Sequence, residues 1–92
     1  MTKHIIVWPL KEETTEEQKT QIKERLEGLI DVIPELKVME VGADDEAGTM
    51  SLYSEFDSRE GLAVYQVHPA HQEVAAFVRS CVSGRSVCDY DV

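Results

Sequence analysis

The segment Tyr65-Gln66-Val67-His68-Pro69-Ala70-His71 divides the C-terminal half of the chain into two helices. A residue before proline is displaced from the α region, and proline itself is favoured at the first position of a helix. One helix is therefore predicted to end near Val67 and the next to begin at Pro69. The second helix carries an apolar stripe with helical spacing, formed by Val74, Phe77, Val78, Cys81 and Val82. His71 continues this stripe towards the N-terminus, so it is predicted to face inward in the first turn.

An inward His71 has two interpretations. A histidine on an apolar face is more often a satisfied core residue than a catalyst. The positive end of the helix dipole would, however, lower its pKa and keep the imidazole neutral at pH 7, where it can accept a proton. Tyr65 would bring a hydroxyl group that can donate to a substrate oxygen. His71 and Tyr65 are therefore the candidate acid–base pair.

The composition indicates one small globular domain spanning residues 1–92. The net charge is −9, from 18 acidic and 9 basic residues, which argues against nucleic acid and anionic membranes as partners. Because no glycine-rich phosphate loop is present, we expect no nucleotide cofactor.

Two further features bear on the compartment. No run is long and apolar enough to span a membrane and the N-terminus lacks the regions of a signal peptide, so a cytoplasmic location is predicted. Cys81 and Cys88 are interpreted as buried thiols, one in a helix and one in a strand. A disulfide between them is the less favoured alternative, since nothing in their spacing requires it.

The N-terminal half of the chain is predicted to form a strand, a helix and two further strands. His4–Trp8 is a dense β-type run that Pro9 closes. The helix begins at two overlapping capping boxes, ends at Pro34 and has one apolar face. The boxes are Thr14 with Glu17 and Thr15 with Gln18, and the face comprises Ile22, Leu26, Leu29, Ile30 and Ile33. The two further strands are Leu36–Gly42 and Thr49–Phe56, joined by the acidic turn Ala43–Gly48.

The C-terminal half completes the pattern. Asp57 or Ser58 caps the helix that runs to Val67, Gly84 is expected at the C-terminus of the Pro69 helix, and Arg85–Tyr90 forms the last strand. The order βαββαβ, with its second helix broken, predicts an α+β ferredoxin-like sandwich. This fold has a four-stranded antiparallel sheet with helices on one face.

The first strand also predicts an association surface. An antiparallel strand with one face in water should alternate, yet residues 5–8 are apolar on both faces. The face away from the helices would carry Ile5, Val7, Val38, Tyr53, Cys88 and Tyr90. Packing two such sheets against each other would bury this patch and give a symmetric homodimer, a dimeric α/β-barrel. The alternative is a monomer with a partly apolar sheet.

Four segments together resemble the stress-responsive dimeric α/β-barrel (Dabb) domain family. They are Lys3–Val7, Leu52–Phe56, the Tyr65–His71 heptad and Cys88–Tyr90, in the order that the family has them. The resemblance implies the ferredoxin-like fold and dimers formed by sheet-to-sheet packing. Most members have no established activity, but one, a plant cyclase, closes a linear polyketide by aldol condensation without a cofactor.

The resemblance also implies roles for individual residues. His71 corresponds to the base of that cyclase and Tyr65 to the tyrosine that assists it. His4 and Asp89 match two further pocket positions. A pocket histidine of the third strand is replaced by Met50, and a pocket tyrosine of the first helix by Leu26. Because both replacements exchange a polar group for an apolar one, a different substrate, or none, is expected.

The other histidines have competing interpretations. His4 would point towards the helices, where it either joins a hydrogen-bond network that orients His71 or satisfies buried backbone groups. His68 is interpreted as a local capping residue at the helix break. A zinc site formed by His4, His68 and His71 is disfavoured, because the HxxH spacing alone is a weak signal. We therefore expect no metal.

Three functions stay open on the sequence alone. The first is a cofactor-free lyase or cyclase for a small polyketide-like or other carbonyl compound. The second is a non-catalytic small-molecule-binding or stress protein that uses the same pocket. The third is a structural dimer. An open cavity with His71 and Tyr65 on its wall would favour the first two functions, and a packed interior the third.

Overall fold

The computed structural model describes residues 1–92 and confirms the order βαββαβ with a divided second helix. The strands are β1 (Thr2–Pro9), β2 (Val38–Asp44), β3 (Thr49–Phe56) and β4 (Ser86–Asp91). The helices are α1 (Glu16–Gly28), α2 (Arg59–Val67) and α3 (Pro69–Cys81), with a short 3-10 helix at Leu29–Asp31.

All strand pairs are antiparallel, and the sheet order is β2-β3-β1-β4. The central strands are thus β1 and β3. Ile5 pairs with Tyr53 on one side and with Cys88 on the other, so these three residues share a face of the sheet. His4, Ile6 and Trp8 lie on the opposite face and are buried. The fold class predicted from the sequence, an α+β ferredoxin-like sandwich, is confirmed.

The start of α1 is fixed by one of the two predicted capping boxes. The Thr15 hydroxyl accepts from the Gln18 backbone N–H at 3.1 Å, and the Gln18 side chain accepts from the Thr15 backbone N–H at 2.9 Å. The overlapping box at Thr14 does not form. The Thr14 hydroxyl instead donates to the Cys81 carbonyl at 2.7 Å and ties the start of α1 to the end of α3.

The break between α2 and α3 lies at His68-Pro69. His68 has extended dihedrals (φ −63°, ψ 133°) and ends α2 while capping α3. Its Nδ1 accepts from the Ala70 backbone N–H at 3.1 Å, and Pro69 takes the first helical position. The interpretation of His68 as a capping residue is confirmed.

The core lies between the sheet and the helices, which cover one face only. Its fully buried side chains come from α1, the segment after it, β2, β3, α2 and α3. They include Ile22, Leu26, Ile33, Val41, Leu52, Phe56, Tyr65 and Cys81. No helix is long and apolar enough to cross a membrane.

Three details differ from the prediction in the N-terminal half. The first helix was predicted to continue to Pro34. It ends at Gly28 instead, and the short 3-10 helix follows it. Because a 3-10 turn holds fewer residues than an α turn, Ile30 rotates off the apolar face and is 40% exposed. The second strand runs from Val38 to Asp44, two residues later than predicted. Leu36 is nevertheless buried, as part of the connection into that strand.

Two details differ in the C-terminal half. Gly84 does not cap α3, because Val82 leaves the helix in an extended conformation (φ −116°, ψ 154°) and forms a β-bridge with Leu10. Cys88 is an exposed free thiol, whereas Cys81 is buried. The prediction that both are buried is wrong for Cys88, since its side chain lies on the face that no helix covers.

Candidate functional site

A cavity of about 450 Å³ opens between α1, α3 and the sheet. This volume lies within the usual range of small-molecule pockets. Seven of its twelve lining residues are hydrophobic. They are Ile6, Trp8, Leu26, Leu52, Ala75, Val78 and Val82. The interior is therefore not fully packed, and its walls suit an apolar ligand body.

The polar part of the cavity wall comes from α3 and the segment that follows it. His71, Arg79, Ser83 and Arg85 lie there, and no aspartate or glutamate lines the cavity. Arg79 and Arg85 are exposed, whereas Ile6, Trp8 and Leu26 at the inner wall are buried. The cavity thus has an apolar inner end and a cationic solvent end.

His71 lies in the first turn of α3, where it is half-buried. Its Nδ1 is 3.1 Å from the Gln66 carbonyl oxygen. Because a carbonyl only accepts, Nδ1 must carry the proton and donate, which leaves Nε2 with the free lone pair in the neutral ring. Gln66 belongs to the last turn of α2, so the helix break that turns the chain also sets the tautomer of His71.

Burial lowers the pKa of His71 below its ordinary value, because desolvation disfavours the charged imidazolium. The hydrogen bond to the Gln66 carbonyl opposes this shift, while the nearby charges of His4, Arg79 and Arg85 add to it. The direction agrees with the sequence-based expectation of a neutral base. The sequence led us to expect this shift from the helix dipole, whereas its largest cause in the structure is burial.

Tyr65 packs directly behind His71. The two ring centroids are 4.3 Å apart, and the Phe56 ring lies 5.1 Å from Tyr65 on another side. Tyr65 is only 1% exposed and does not line the cavity, and its hydroxyl has no hydrogen-bond partner in the protein. Burial raises the pKa of Tyr65 well above its usual range, so the phenol stays protonated. It is a free hydrogen-bond donor one layer behind the cavity wall.

His4 is also buried beside Tyr65. Its Nδ1 bonds the Asp89 carboxylate at 2.5 Å, and its ring meets Tyr65 edge-on with centroids 6.4 Å apart. Tyr65 therefore has both His4 and His71 as ring neighbours. No hydrogen bond joins the two histidines: His4 bonds the Asp89 carboxylate, and His71 bonds the Gln66 carbonyl.

The remaining predicted site residues lie at different depths. Leu26 lines the cavity, whereas Met50 is buried in the core and does not. His4 and Asp89 also lie outside the cavity lining. Of the six predicted residues, the structure thus brings His71 and Leu26 to the wall and places Tyr65 immediately behind it. No group of three or more His, Cys, Asp or Glu side chains is arranged to hold a metal ion.

Sequence reasoning missed Arg79 and Arg85. Arg79 follows His71 and Ala75 at intervals of four residues, so the helical periodicity that placed His71 at the cavity could also have placed Arg79 there. Arg85 lies beyond α3, in the connection to β4. Because this connection has no periodic pattern, the sequence could not predict that Arg85 lines the cavity.

Comparison with known proteins gives one family and several relatives. The family model described as the stress responsive A/B barrel domain matches residues 2–92. Olivetolic acid cyclase of Cannabis sativa is 32% identical over 94 residues, covering 96% of this chain and 93% of the cyclase.

Two solved structures show the same fold. A dimeric ferredoxin-like protein of Thermobifida fusca is 27% identical with a TM-score of 0.88, covering 99% of this chain and 90% of that one. Hydroxynitrile lyase of Passiflora edulis has a TM-score of 0.87 over 99% of this chain and 92% of that one. At 21% identity, the likeness to the lyase concerns the fold alone.

Proposed function

Because this chain belongs to the stress responsive A/B barrel domain family, we propose that it is a cofactor-free lyase or cyclase with His71 as its base. The substrate is a small polyketide-like or other carbonyl compound that occupies the cavity. The observation that carries the proposal is the half-buried His71 on the cavity wall, whose Nδ1 is held by the Gln66 carbonyl. The relative that is a cyclase supports the same class of chemistry.

The chemistry begins with a proton transfer. Nε2 of His71 takes a proton from the carbon between two carbonyl groups, and the C–H electron pair moves into an enolate. In a cyclase, the enolate carbon then attacks a second carbonyl carbon of the same chain and forms the ring bond. The alkoxide that results takes the proton back from the His71 imidazolium. The lowered pKa of His71 favours this return, because it makes the imidazolium a stronger acid than an ordinary imidazolium and therefore a better proton donor to the alkoxide.

Tyr65 is proposed to assist by donating its hydroxyl to the carbonyl oxygen as that oxygen gains charge. The unpartnered hydroxyl supports this role, and so does the contact between the Tyr65 and His71 rings. Reaching the substrate requires a local movement, since the hydroxyl lies behind the wall. We propose that Leu26, on the cavity wall, selects an apolar substrate body, and that His4, which bonds Asp89, helps to hold Tyr65 in place.

A second candidate function is small-molecule binding without chemistry. It is favoured by the position of the Tyr65 hydroxyl, which no group in the cavity contacts, and by the apolar residues at positions 26 and 50. Both candidates use the same cavity, and they differ only in whether His71 moves a proton.

We propose further that the protein acts as a homodimer through the uncovered sheet face. The relative from Thermobifida fusca is described as dimeric. In this chain, Val7 and Tyr90 on that face are 41% and 39% exposed. Apolar side chains of this size on one face are typical of an association surface.

Proton abstraction can be tested directly by deuterium exchange. A linear poly-β-keto thioester is incubated in D₂O with the protein, and mass spectrometry follows deuterium incorporation and ring closure. We expect both with the native chain, and we expect His71→Gln to lower their rates by about 10²-fold or more. His68→Asn is the matched control, because it removes an imidazole but keeps a helix-capping side chain. Equal rates in all three proteins would exclude His71 as a base and leave the binding function.

A further inference from the structure

Two arginines without carboxylate partners converge on the cavity. Arg79 and Arg85 both line it, yet neither belongs to any of the ion pairs or side-chain hydrogen bonds of the chain. Other basic side chains do find carboxylates, namely Lys19, Lys23, Lys37 and Arg59. Lys3, Lys11 and Arg25 also lack a carboxylate partner, but of the unpaired basic side chains only Arg79 and Arg85 line the cavity, where both guanidinium groups are free to bind a ligand.

The charge around the cavity differs from that of the molecule. The chain as a whole carries −9, but the cavity lining contains two arginines and no acidic residue. Both arginines are also close enough to His71 for their charges to act on it. The two arginine charges therefore act on His71, and an anion bound in the cavity would find guanidinium donors there.

We propose, on the premise that this cavity is the ligand site of the proposed function, that its ligand is an amphipathic oxyanion. The apolar body lies against Trp8, Leu26 and Val78, and a carboxylate or phosphate group binds Arg79 and Arg85 at the solvent end. Guanidinium groups recognise both kinds of oxyanion through paired N–H donors. The oxyanion fixes the direction in which the ligand enters, so its reactive carbon lies inward of the arginines and beside His71.

The proposal has a consequence for His71. The two arginine charges help to lower its pKa. A ligand anion placed between them offsets those charges and favours the imidazolium. Binding of an oxyanion in this cavity therefore raises the pKa of His71, whereas binding elsewhere on the surface leaves it unchanged.

The experiment uses three ligands with the same eight-carbon chain: octanoate, octyl phosphate and the neutral octanamide. Affinities are measured by calorimetry for the full chain and for Arg79→Gln, Arg85→Gln and the double variant. Arg59→Gln is the matched control, since Arg59 pairs with Asp91 on the surface and does not line the cavity. We expect at least one anion to bind more tightly than octanamide. We also expect a loss of about tenfold or more in the double variant, from charge-assisted hydrogen bonds.

The anion whose affinity falls more in the double variant identifies the oxyanion as carboxylate or phosphate. Octanamide should bind all variants alike, and the His71 resonances should show the upward pKa shift only with the anion. Equal affinity for the anions and octanamide in the native chain would overturn the proposal, and so would an equal loss in Arg59→Gln. His71→Gln should keep anion binding. If the proposed catalysis is wrong, only the deuterium-exchange assay will show it. If the proposed oxyanion recognition is wrong, only the ligand affinities of the arginine variants will show it.

Discussion

At the scale of single residues, the site depends on how His71 and Tyr65 are held. The Gln66 carbonyl fixes the proton on Nδ1 of His71, and the Tyr65 ring packs behind the imidazole. The His4 ring, which bonds Asp89, also lies beside Tyr65. His71 thus has a defined tautomer and a packed ring behind it, and both would favour the proton transfer that we propose.

The pKa of His71 should be measurably below 6.5, because burial disfavours the imidazolium. A lowered folded-state pKa means that the unfolded chain binds this proton first as the pH falls. The contribution of His71 to stability is therefore present above about pH 6.5 and is lost as the pH falls towards its folded-state pKa. NMR titration of the ring checks the pKa. Chemical denaturation at pH 7 and pH 5 should show a smaller loss of stability in His71→Gln than in the native chain.

Removing the Tyr65 hydroxyl should separate stability from function. Because this buried group has no protein partner, Tyr65→Phe should leave the free energy of unfolding unchanged or raise it by up to about 1 kcal/mol. Turnover should fall, since the proposed donor to the carbonyl oxygen is gone. Denaturation and the deuterium-exchange assay measure the two effects. A destabilised Tyr65→Phe would mean that the hydroxyl has a structural partner, and full activity would remove it from the mechanism.

At the scale of elements, α1 covers the edge of the sheet at β2. Val41 lies on this edge strand, and two side chains of α1 satisfy its outward backbone groups. Glu27 accepts from the Val41 N–H at 3.1 Å, and Lys23 donates to the Val41 carbonyl at 2.8 Å. Lys23 and Glu27 also bond each other at 2.8 Å. Edge strands with unpaired backbone groups are prone to associate with other strands. The hydrogen bonds of Lys23 and Glu27 therefore both attach α1 to β2 and satisfy the exposed edge of the sheet.

Glu27→Ala should lower the free energy of unfolding by about 1–2 kcal/mol, because it removes two charge-assisted hydrogen bonds. Glu24→Ala is the control, since Glu24 is exposed on the same helix and makes no such bond. The Lys23 ammonium, with help from the Val41 N–H, lowers the pKa of Glu27. The stabilisation is therefore present above the unfolded-state pKa of about 4.5 and is lost as the pH falls through the folded-state value. Equal denaturation curves for the two variants at pH 7 would contradict this role.

At the scale of the whole molecule, the two faces of the sheet have different surroundings. One face packs against the helices and contains the cavity. The other face is uncovered and carries both apolar side chains and a polar cluster. In this cluster the Tyr53 hydroxyl donates to the Glu55 carboxylate, and the Lys3 ammonium lies 5.6 Å from the Tyr53 ring centroid. Association through the uncovered face would leave the cavity accessible from the helix side.

Sedimentation equilibrium should give a mass of twice the 10.4 kDa of one chain at micromolar concentration. Ile5→Lys should shift the mass towards a single chain, because it places a charge on a central strand of the uncovered face. Val67→Lys is the control, since Val67 is an exposed valine at the end of α2 and lies off the sheet. A single-chain mass for the native protein, or dissociation by Val67→Lys, would show that the sheet face is not the interface.

Much of the fold was predictable because its signals are local. Proline at position 69 both ends α2 and starts α3 through its own backbone geometry, and the Thr15 capping box needs only four consecutive residues. The apolar periodicity placed His71 on the inner face of α3, since helical spacing is a property of the sequence itself. Local rules failed at Ile30 and Gly84, where a 3-10 turn and a β-bridge to Leu10 replaced the expected helix and cap.

The tertiary structure alone decided the depth of each site residue. Periodicity gives the direction of a side chain but not the distance to which neighbouring elements approach it. Tyr65 therefore points inward as predicted and yet lies behind the cavity wall, covered by the His71 ring. The pairing of His4 with Asp89 joins residues 85 positions apart, and Arg85 reaches the cavity from a connection without periodic pattern. Such contacts depend on how strands and helices are packed, which no short segment of the sequence encodes.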